Sequence, residues 1–355
     1  MSPAAPSPKH LKHLKHLTHL APLTPPTHLT PLTQFASNFD FEAAVTAPFR
    51  MQPGLRRLPA GTAQLTPLQP GSRHQREKLA VLTAFWPQAL CHQSGFDATP
   101  ALHALFSHAA SEHPDVWAWN GEWAEALRLA TAVAPDGEVL QRQPGPFGLG
   151  DEVARCLQGL PPAWRQVGLA ALAFAEDVAV VDGRSGHIPW LAVCLPSHWA
   201  PEEKLGRHFT EVHAPVADNT LLLKATEGLM RVVTGPERWE RFVWNVSDHP
   251  RLHAHPARVD GQRWQQTPVG SAWFRSERQT FIPLPEAAQA VFTIQVQVQP
   301  LAAVLDSPAR ALALHDAVAS MSPAVLGYRS LGGVREPLLA WLAARAVAAQ
   351  AVAAT

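Results

Sequence analysis

His213 is the side chain whose surroundings in the sequence most favour a chemical role. It follows a predicted short helix over Pro201–Gly206 and precedes Ala214-Pro215. Because proline restricts its predecessor to extended backbone conformations, the imidazole would lie at a rigid hinge. Neutral imidazole is the commonest metal ligand among side chains, so a fixed position suits that role. Taken by itself, a lone histidine in an apolar stretch is more often a hydrogen-bonded core residue.

Glu277 is the second candidate, and it lies in a charged stretch from Arg275 to Thr280. If this stretch is a strand, side chains alternate between the two faces, so residues 275, 277 and 279 share one face. The carboxylate would then point inward, between Arg275 and Arg278, where it could bind a small cation. The alternative is a ladder of salt bridges across the sheet.

A cluster of three histidines is a third candidate, of the kind that holds a metal ion. His249, His253 and His255 lie within seven residues, and a His-x-His pair can ligate zinc or non-haem iron. A cupin-like site would also need a glutamate a few residues onward, and the sequence offers only Asp260 there. A polar loop bounded by prolines is the alternative interpretation.

The glycine-rich segment Gly145–Gly150 superficially resembles a phosphate-binding loop. No predicted strand leads into it, and no Lys-Ser or Lys-Thr pair follows it, as a phosphate loop requires. The segment is therefore interpreted as a turn before a helix that begins near Asp151, whose negative charge suits the first helical turn.

The composition indicates a soluble globular protein. The chain has 355 residues, of which 46% are hydrophobic, and its 29 basic residues balance 29 acidic ones. No overall field therefore attracts nucleic acid or an anionic membrane. Three cysteines lie far apart, which favours a reducing cytoplasm over a disulfide framework. No apolar run approaches the roughly 20 residues that span a bilayer.

Residues 1–38 are predicted to be a disordered low-complexity leader outside the fold. Histidines recur there every third residue, and a run rich in proline and threonine follows, without the continuous apolar centre of a signal peptide. Adventitious metal binding by these histidines is the alternative.

The region 39–170 is predicted to be mainly helical, because apolar residues recur there at spacings of three and four. A second group of helices, over residues 301–355, is predicted to cap the core. The predicted helices are Gln75–Leu90, Thr99–His113, Trp119–Val133, Asn219–Val233, Pro308–Ser320 and Pro337–Ala354.

Residues 171–300 are predicted to form a PAS-like domain. Two strands, helices and three further strands follow one another, which is the order of a PAS domain with its curved antiparallel five-stranded sheet and ligand pocket. The fold class is therefore α+β, with a helical amino-terminal region and a carboxy-terminal helical cap. The predicted strands are Val178–Val181, Ile188–Leu195, Phe242–Val246, Ser271–Phe281 and Ala290–Val298.

Several separated motifs resemble the haem-dependent oxidative N-demethylase alpha-subunit family. In the longest, a strand leads to Pro-Ser-His-Trp, then to Glu-Lys-Leu-Gly-Arg, and finally to a histidine followed by Ala-Pro-Val. This chain departs from the family pattern at one point. Val243 stands where the family usually carries an asparagine directly before a tryptophan. The motifs, spread over about residues 45 to 345, are Pro48–Arg56, Gln75–Lys78, Pro189–Val216, Arg275–Thr280 and Phe292–Gln295.

The resemblance implies a b-type haem with His213 as the axial ligand of its iron. Arg207 and Lys204 would bind the haem propionates, with solvation of a helix end as the alternative, and Trp244 would line the pocket unless it only packs in the sheet. Cys194 is a rival axial ligand, although its place on a predicted core strand favours an inert buried thiol.

The resemblance also implies a reaction, in which O2 oxidises a dimethylamine-like secondary amine to the smaller amine and formaldehyde. Glu277 and Arg275 would be the catalytic residues. The sequence has no dinucleotide fingerprint, flavin motif or iron-sulfur cysteine set. Electrons are therefore expected from NADPH through partner flavin and iron-sulfur reductase subunits in a hetero-oligomer. Membrane and nucleic-acid partners are not expected.

Two other functions remain as alternatives to an amine demethylase. PAS scaffolds more commonly sense gases, redox state or small ligands than catalyse, so a haem-PAS sensor is the main rival. No kinase, cyclase or helix-turn-helix pattern accompanies the predicted domain, which favours the enzyme. The third alternative is an interaction subunit without haem.

Overall fold

The computed structural model describes residues 39–353 except 215, 219, 221, 222, 224, 225 and 262, and within them the chain forms an α+β fold. The predicted leader over residues 1–38 lies outside the described residues. The helices are α1 (Phe41–Ala44), α2 (Arg73–Ala84), α3 (Trp86–Ala89), α4 (Thr99–Glu112), α5 (Glu152–Gly159), α6 (Arg165–Ala173), α7 (Phe209–His213), α8 (Thr226–Val233), α9 (Leu301–Val304), α10 (Pro308–Ala319), α11 (Pro323–Tyr328) and α12 (Arg335–Ala353).

A seven-stranded antiparallel sheet forms the centre of the fold, with strand order β1-β9-β10-β11-β7-β8-β2. A smaller four-stranded sheet has the order β3-β4-β5-β6. The strands are β1 (Arg56–Arg57), β2 (Leu90–His92), β3 (Trp117–Trp119), β4 (Ala124–Ala126), β5 (Thr131–Val133), β6 (Val139–Gln141), β7 (Glu176–Asp182), β8 (His187–Ala192), β9 (Trp239–Ser247), β10 (Trp273–Leu284) and β11 (Gln289–Pro300).

The five predicted strands are confirmed as β7 to β11, and they occupy the middle of the large sheet. β7 and β8 form a hairpin in which Asp182 pairs with His187 across the predicted loop. The sheet has seven strands rather than five because β1 and β2, from the amino-terminal region, add to its two edges. Strands of two and three residues are too short to show an alternating pattern in the sequence.

The predicted helix over residues 119–133 is wrong, because this stretch forms β4, β5 and the end of β3 in the small sheet. Asn120 accepts hydrogen bonds from the backbone N–H groups of Glu122 and Trp123, which makes a turn where a helix would have to continue. Ala130 has a φ of 47°, in the left-handed region that ends a short 3₁₀ turn. The region 39–170 therefore combines helices with a sheet.

The glycine-rich segment is a closed turn, as the sequence predicts. The Glu152 carboxylate, in the first turn of α5, accepts hydrogen bonds from the backbone N–H groups of Leu149 and Gly150. Gly150 has a φ of 87°, a conformation that favours glycine. The chain's own carboxylate thus occupies the N–H groups that a phosphate would need.

The two faces of the large sheet are covered by different helices. One face, here called the packed face, carries Ser276, Arg278 and Thr280 of β10 and is covered by amino-terminal helices such as α4 and by the carboxy-terminal α10 and α12. The other, here called the site face, carries residues 275, 277 and 279. α7 and α8 cover one end of the site face, where Phe209 and Met230 share a core cluster with Phe281.

No helix within the described residues combines the length and the apolar character that crossing a bilayer requires.

Candidate functional site

His213 is the last residue of α7, and its ring has a defined orientation. α7 begins with a capping box in which the His208 side chain accepts from a backbone N–H and the Glu211 carboxylate accepts from the His208 N–H. His213 Nδ1 lies 2.8 Å from the Phe209 carbonyl oxygen, and the two rings are 4.0 Å apart. A carbonyl only accepts, so Nδ1 carries the hydrogen and the lone pair of the neutral ring is on Nε2.

The surroundings of His213 keep its imidazole neutral. Burial lowers its pKa to about 4, and the positive charges of Arg241 and Lys204 act in the same direction, whereas the hydrogen bond to Phe209 opposes them. A ring that donates Nδ1–H to a backbone carbonyl and holds a lone pair on Nε2 is the usual form of a metal-ligating histidine. His213 therefore has the tautomer and charge that a metal ligand needs.

Glu277 lies on the site face in the middle of β10, and 8% of its surface is exposed. Its Oε1 accepts a hydrogen bond from the Ser197 hydroxyl, and its Oε2 accepts one from Gln279 Nε2 at 2.6 Å. The Ser197 hydroxyl in turn accepts from Arg275 Nε at 2.7 Å. Ser197 thus joins the carboxylate to the guanidinium, in place of a direct ion pair.

Arg275 is a buried cation that fixes the loop carrying Ser197. Its terminal nitrogens donate to four backbone carbonyls, those of Leu195, Pro196, Arg251 and Leu252, at 2.8 to 3.2 Å. Burial lowers its pKa to about 10, although the Glu277 charge opposes this effect. These contacts identify Arg275 as a residue that positions Ser197 and, through it, Glu277.

Arg241 interacts electrostatically with both Glu277 and His213. It pairs with Gln279 across β9 and β10, so its side chain lies on the site face. Its Nε is buried and has no hydrogen-bond partner among the described residues. Burial lowers its pKa while the Glu277 charge raises it, and its own charge lowers the pKa of His213. Arg241 is therefore an incompletely satisfied buried cation between two candidate functional groups.

The remaining predicted haem contacts lie in three different environments. Lys204 is half-buried, and its positive charge lowers the pKa of His213. Arg207 is exposed, and its carbonyl accepts from the Ile188 N–H. Trp244 pairs with Ser276, so it lies on the packed face, where its Nε1 donates to the Ala44 carbonyl at 3.0 Å. The structure brings Lys204 near His213 but places Trp244 on the opposite face of the sheet from Glu277.

Arg278 also lies on the packed face, which rules out its predicted place beside Glu277. It makes a buried ion pair with Glu240 at 3.0 Å. The ladder of charges predicted along residues 275–278 is therefore divided between the two faces of the sheet. Arg275 lies on the same face as Glu277, and Arg278 lies on the other face.

The rival metal sites do not assemble. Cys194 is fully buried, and burial raises the pKa of its thiol, so a thiolate is disfavoured. His253 Nδ1 donates to the Cys194 carbonyl at 2.7 Å, while His255 contacts Glu202 at 3.1 Å. No group of three or more His, Cys, Asp or Glu side chains in the described part of the chain is arranged to hold a metal ion. His249, His253 and His255 are therefore not arranged as the metal site that their spacing offered as a candidate.

Ser197 and Arg241 are functional candidates that the sequence reasoning did not single out. Ser197 is part of the Pro-Ser-His-Trp motif, which carried the resemblance but not a role for the serine. Arg241 is recognised only through its register with β10. Alternation along β9 can assign Arg241 to a face of the strand. The register with the partner strand is needed to show which side chains lie beside Arg241 on that face.

Two small pockets are lined by residues that do not include His213. Leu129 and Phe147 contribute to the first, and Phe106 and Glu176 to the second.

Comparison with known protein families identifies a match. Residues 163–339, about half of the chain, match the family described as haem-dependent oxidative N-demethylase, alpha subunit-like. The matched range includes His213, Arg241, Arg275 and Glu277. No curated protein matches the chain.

Proposed function

Because this chain belongs, over residues 163–339, to the haem-dependent oxidative N-demethylase alpha-subunit-like family, we propose that it binds haem b and oxidatively demethylates a small secondary amine. We infer a PAS-like scaffold, which the order of two strands, helices and three strands supports. In such a scaffold a ligand would lie between the site face and the helices that cover it.

The observation that carries the proposal is the state of His213. Its Nδ1–H is held by the Phe209 carbonyl, its ring is neutral, and its Nε2 holds a lone pair, so its donor chemistry fits a haem iron. The incompletely satisfied Arg241 and the half-buried Lys204 supply positive charge for the haem carboxylates. Exposed Arg207 is the weaker candidate for that contact. Bound haem would supply redox chemistry with O2.

Glu277 is proposed to recognise the amine. A secondary amine is a cation at neutral pH, and a carboxylate in a low-dielectric site attracts it more strongly than one in water. Ser197 and Gln279 fix the carboxylate, and Arg275 acts by positioning Ser197. The net reaction consumes dimethylamine, O2, two electrons and two protons, and it yields methylamine, formaldehyde and water, so atoms and electrons balance.

The two electrons are proposed to come from NADPH through partner flavin and iron-sulfur subunits. All three cysteines are free and buried, whereas an iron-sulfur cluster requires several cysteine ligands that converge. The protein would therefore act as the haem subunit of a hetero-oligomer.

Replacement of His213 tests the haem site. The variant His213→Ala is expected to lower haem affinity by about tenfold or more, with loss of the Soret band, an unchanged far-UV circular dichroism spectrum and partial rescue by added imidazole. The matched control is His208→Asn, on the same helix, since asparagine is also a good N-cap. Full haem occupancy with an unchanged spectrum in His213→Ala would contradict the proposed ligand.

Turnover distinguishes the enzyme from a haem-PAS sensor. Amine-dependent oxygen uptake and formaldehyde release are measured with the haem-loaded protein, an added reductase and NADPH. A haem spectrum without turnover across small methylamines would favour the sensor. A purified protein that takes up no haem would favour the interaction subunit.

A further inference from the structure

A buried cluster of two histidines and an arginine lies beyond the end of the site face and has no role in the proposed reaction. His198 follows Ser197 in the loop after β8, His249 follows β9, and Arg263 lies in the loop before β10. The two imidazole rings are 5.2 Å apart. Arg263 donates from one terminal nitrogen to His198 Nδ1 at 3.4 Å. Three loops thus bring nitrogen-bearing side chains together.

The backbone of this cluster is held in uncommon conformations. His198 has a φ of 63° and Trp264 a φ of 70°, both in the left-handed region that L side chains rarely adopt. The His198 N–H donates to the Ala254 carbonyl at 2.9 Å, and the Ala254 N–H donates to the Pro196 carbonyl at 3.0 Å. Strained residues of this kind persist where the surrounding structure fixes them, and they concentrate at binding sites.

Several nitrogen atoms of the cluster are buried without a hydrogen-bond partner among the residues that the structure describes. They are His198 Nε2, both ring nitrogens of His249 and one terminal nitrogen of Arg263. Because His198 Nδ1 accepts from Arg263, its Nε2 carries the hydrogen in the neutral ring. The cluster therefore presents three buried donors, one from each side chain. Leaving such buried groups unpaired destabilises the folded protein.

The surroundings of the cluster are electropositive. Arg263 Nε pairs with Asp248 at 2.5 Å, and the fully buried Arg275 lies close enough for its charge to act on both histidines. The hydrogen bonds between Glu277 and Arg275 run through Ser197, and the Glu277 charge raises the pKa of Arg275. Burial and these arginines lower the pKa of His198 to about 3 and that of His249 to about 4, although the Asp248 charge opposes the shift of both. Each ring is therefore neutral and has one N–H to donate, and the two arginines favour a negative group over a cation.

We propose that His198, His249 and Arg263 form a receptor for one oxyanion group, a carboxylate or a phosphate. Three neighbouring donors, one of them a guanidinium nitrogen, match the acceptor oxygens of such a group. A metal ion fits less well, because the cluster presents more donors than lone pairs and Asp248 already pairs with Arg263. The oxyanion could belong to a free small ligand or to a haem propionate.

Titration of the haem-free protein with acetate or inorganic phosphate tests the receptor without relying on the proposed function. Binding is measured by calorimetry and by the shift in thermal unfolding temperature, at constant ionic strength with chloride as the reference anion. We expect one saturable site for at least one of the two anions. Comparison of haem with haem dimethyl ester then identifies the source, because only free propionates offer an oxyanion.

Variants assign the binding to the cluster. His249→Leu is expected to weaken anion binding by about tenfold or more, yet to leave stability in chloride unchanged or raised, because it removes unpaired polar atoms. His198→Asn is the second variant, since asparagine tolerates a positive φ. The control His103→Gln changes an exposed histidine on α4.

The possible results separate clearly. Anion binding that is lost in His249→Leu and His198→Asn but kept in His103→Gln supports the receptor. A haem affinity that exceeds that of the dimethyl ester in the unmodified protein, and no longer does so in the two variants, assigns the oxyanion to the porphyrin. If neither anion binds and haem shows no preference over its ester, or does not bind, the receptor is wrong. Anion binding without haem binding would overturn the proposed function alone.

Discussion

The two faces of the large sheet carry the same kinds of charged side chain in different arrangements. On the packed face, Arg278 and Glu240 are each 3% exposed and form a direct ion pair at 3.0 Å. On the site face, Arg275 and Glu277 are also buried, but the Ser197 hydroxyl lies between them. The direct pair neutralises itself, whereas the separated pair leaves the carboxylate able to attract a further cation.

This difference indicates how stability and function are divided within one sheet. Loss of one partner of a buried ion pair strongly destabilises the folded protein, because the other charge remains buried and uncompensated. A buried carboxylate that is held by neutral donors is positioned without being cancelled. The packed face is therefore expected to govern the free energy of unfolding, and the site face to govern ligand binding.

Glu240→Gln tests the packed face and is expected to have the largest effect. It removes the charge partner of Arg278 and also breaks the contact with Arg56 at 2.9 Å. We expect a loss of about 3–5 kcal/mol in the free energy of unfolding, measured by urea denaturation, with haem and amine affinities unchanged in the folded protein. A loss well below this range would show that the pair is not structural.

Acid titration of His74 should have the next largest effect on stability. His74, on α2, is 5% exposed and contacts the Val296 carbonyl at 2.8 Å. Burial lowers its pKa to about 4. The unfolded chain, with an ordinary histidine pKa near 6.5, therefore binds the proton first. Stability that is complete above pH 6.5 should fall between about pH 6.5 and 4, by about 3 kcal/mol from this residue.

The check on His74 is the variant His74→Gln, whose amide can still donate to the Val296 carbonyl. The free energy of unfolding is measured from pH 7.5 to 4. The variant should show a shallower fall, while other buried histidines preserve part of the slope. If the free energy of unfolding falls equally steeply with pH in both proteins, the His74 ring does not stay neutral in the folded protein as the pH falls to 4.

Glu277→Gln tests the site face and should affect binding more than folding. It preserves the side-chain size, but it removes the negative charge near Arg241 and Arg275. We expect about tenfold weaker amine binding, equal to about 1.4 kcal/mol, with a smaller change in haem affinity. Equal losses of amine and haem binding, or a loss of stability alone, would assign Glu277 a structural role like that of Glu240.

The sequence was sufficient to predict the central strands but not the assembly of the site. β11 was predictable because Thr293 and Ile294, like their neighbours, alternate between two faces. The helix predicted over residues 119–133 was wrong because apolar spacings of three and four also occur in short strands joined by turns. The Ser197 contact was not predictable, since it joins residues 78 positions apart through a loop whose path depends on tertiary packing.

Trp244→Phe makes the finest distinction between the two faces. Trp244 lies on the packed face, stacks with Phe274 at 6.0 Å and donates to the Ala44 carbonyl. Phenylalanine keeps most of the apolar contact and removes the hydrogen bond, so we expect a loss of about 1 kcal/mol in stability. Because the sheet separates this ring from His213 and Glu277, the haem spectrum and amine affinity should not change. A shifted Soret band with unaltered stability would instead place the tryptophan against the haem, and would remove the basis for assigning binding to one face.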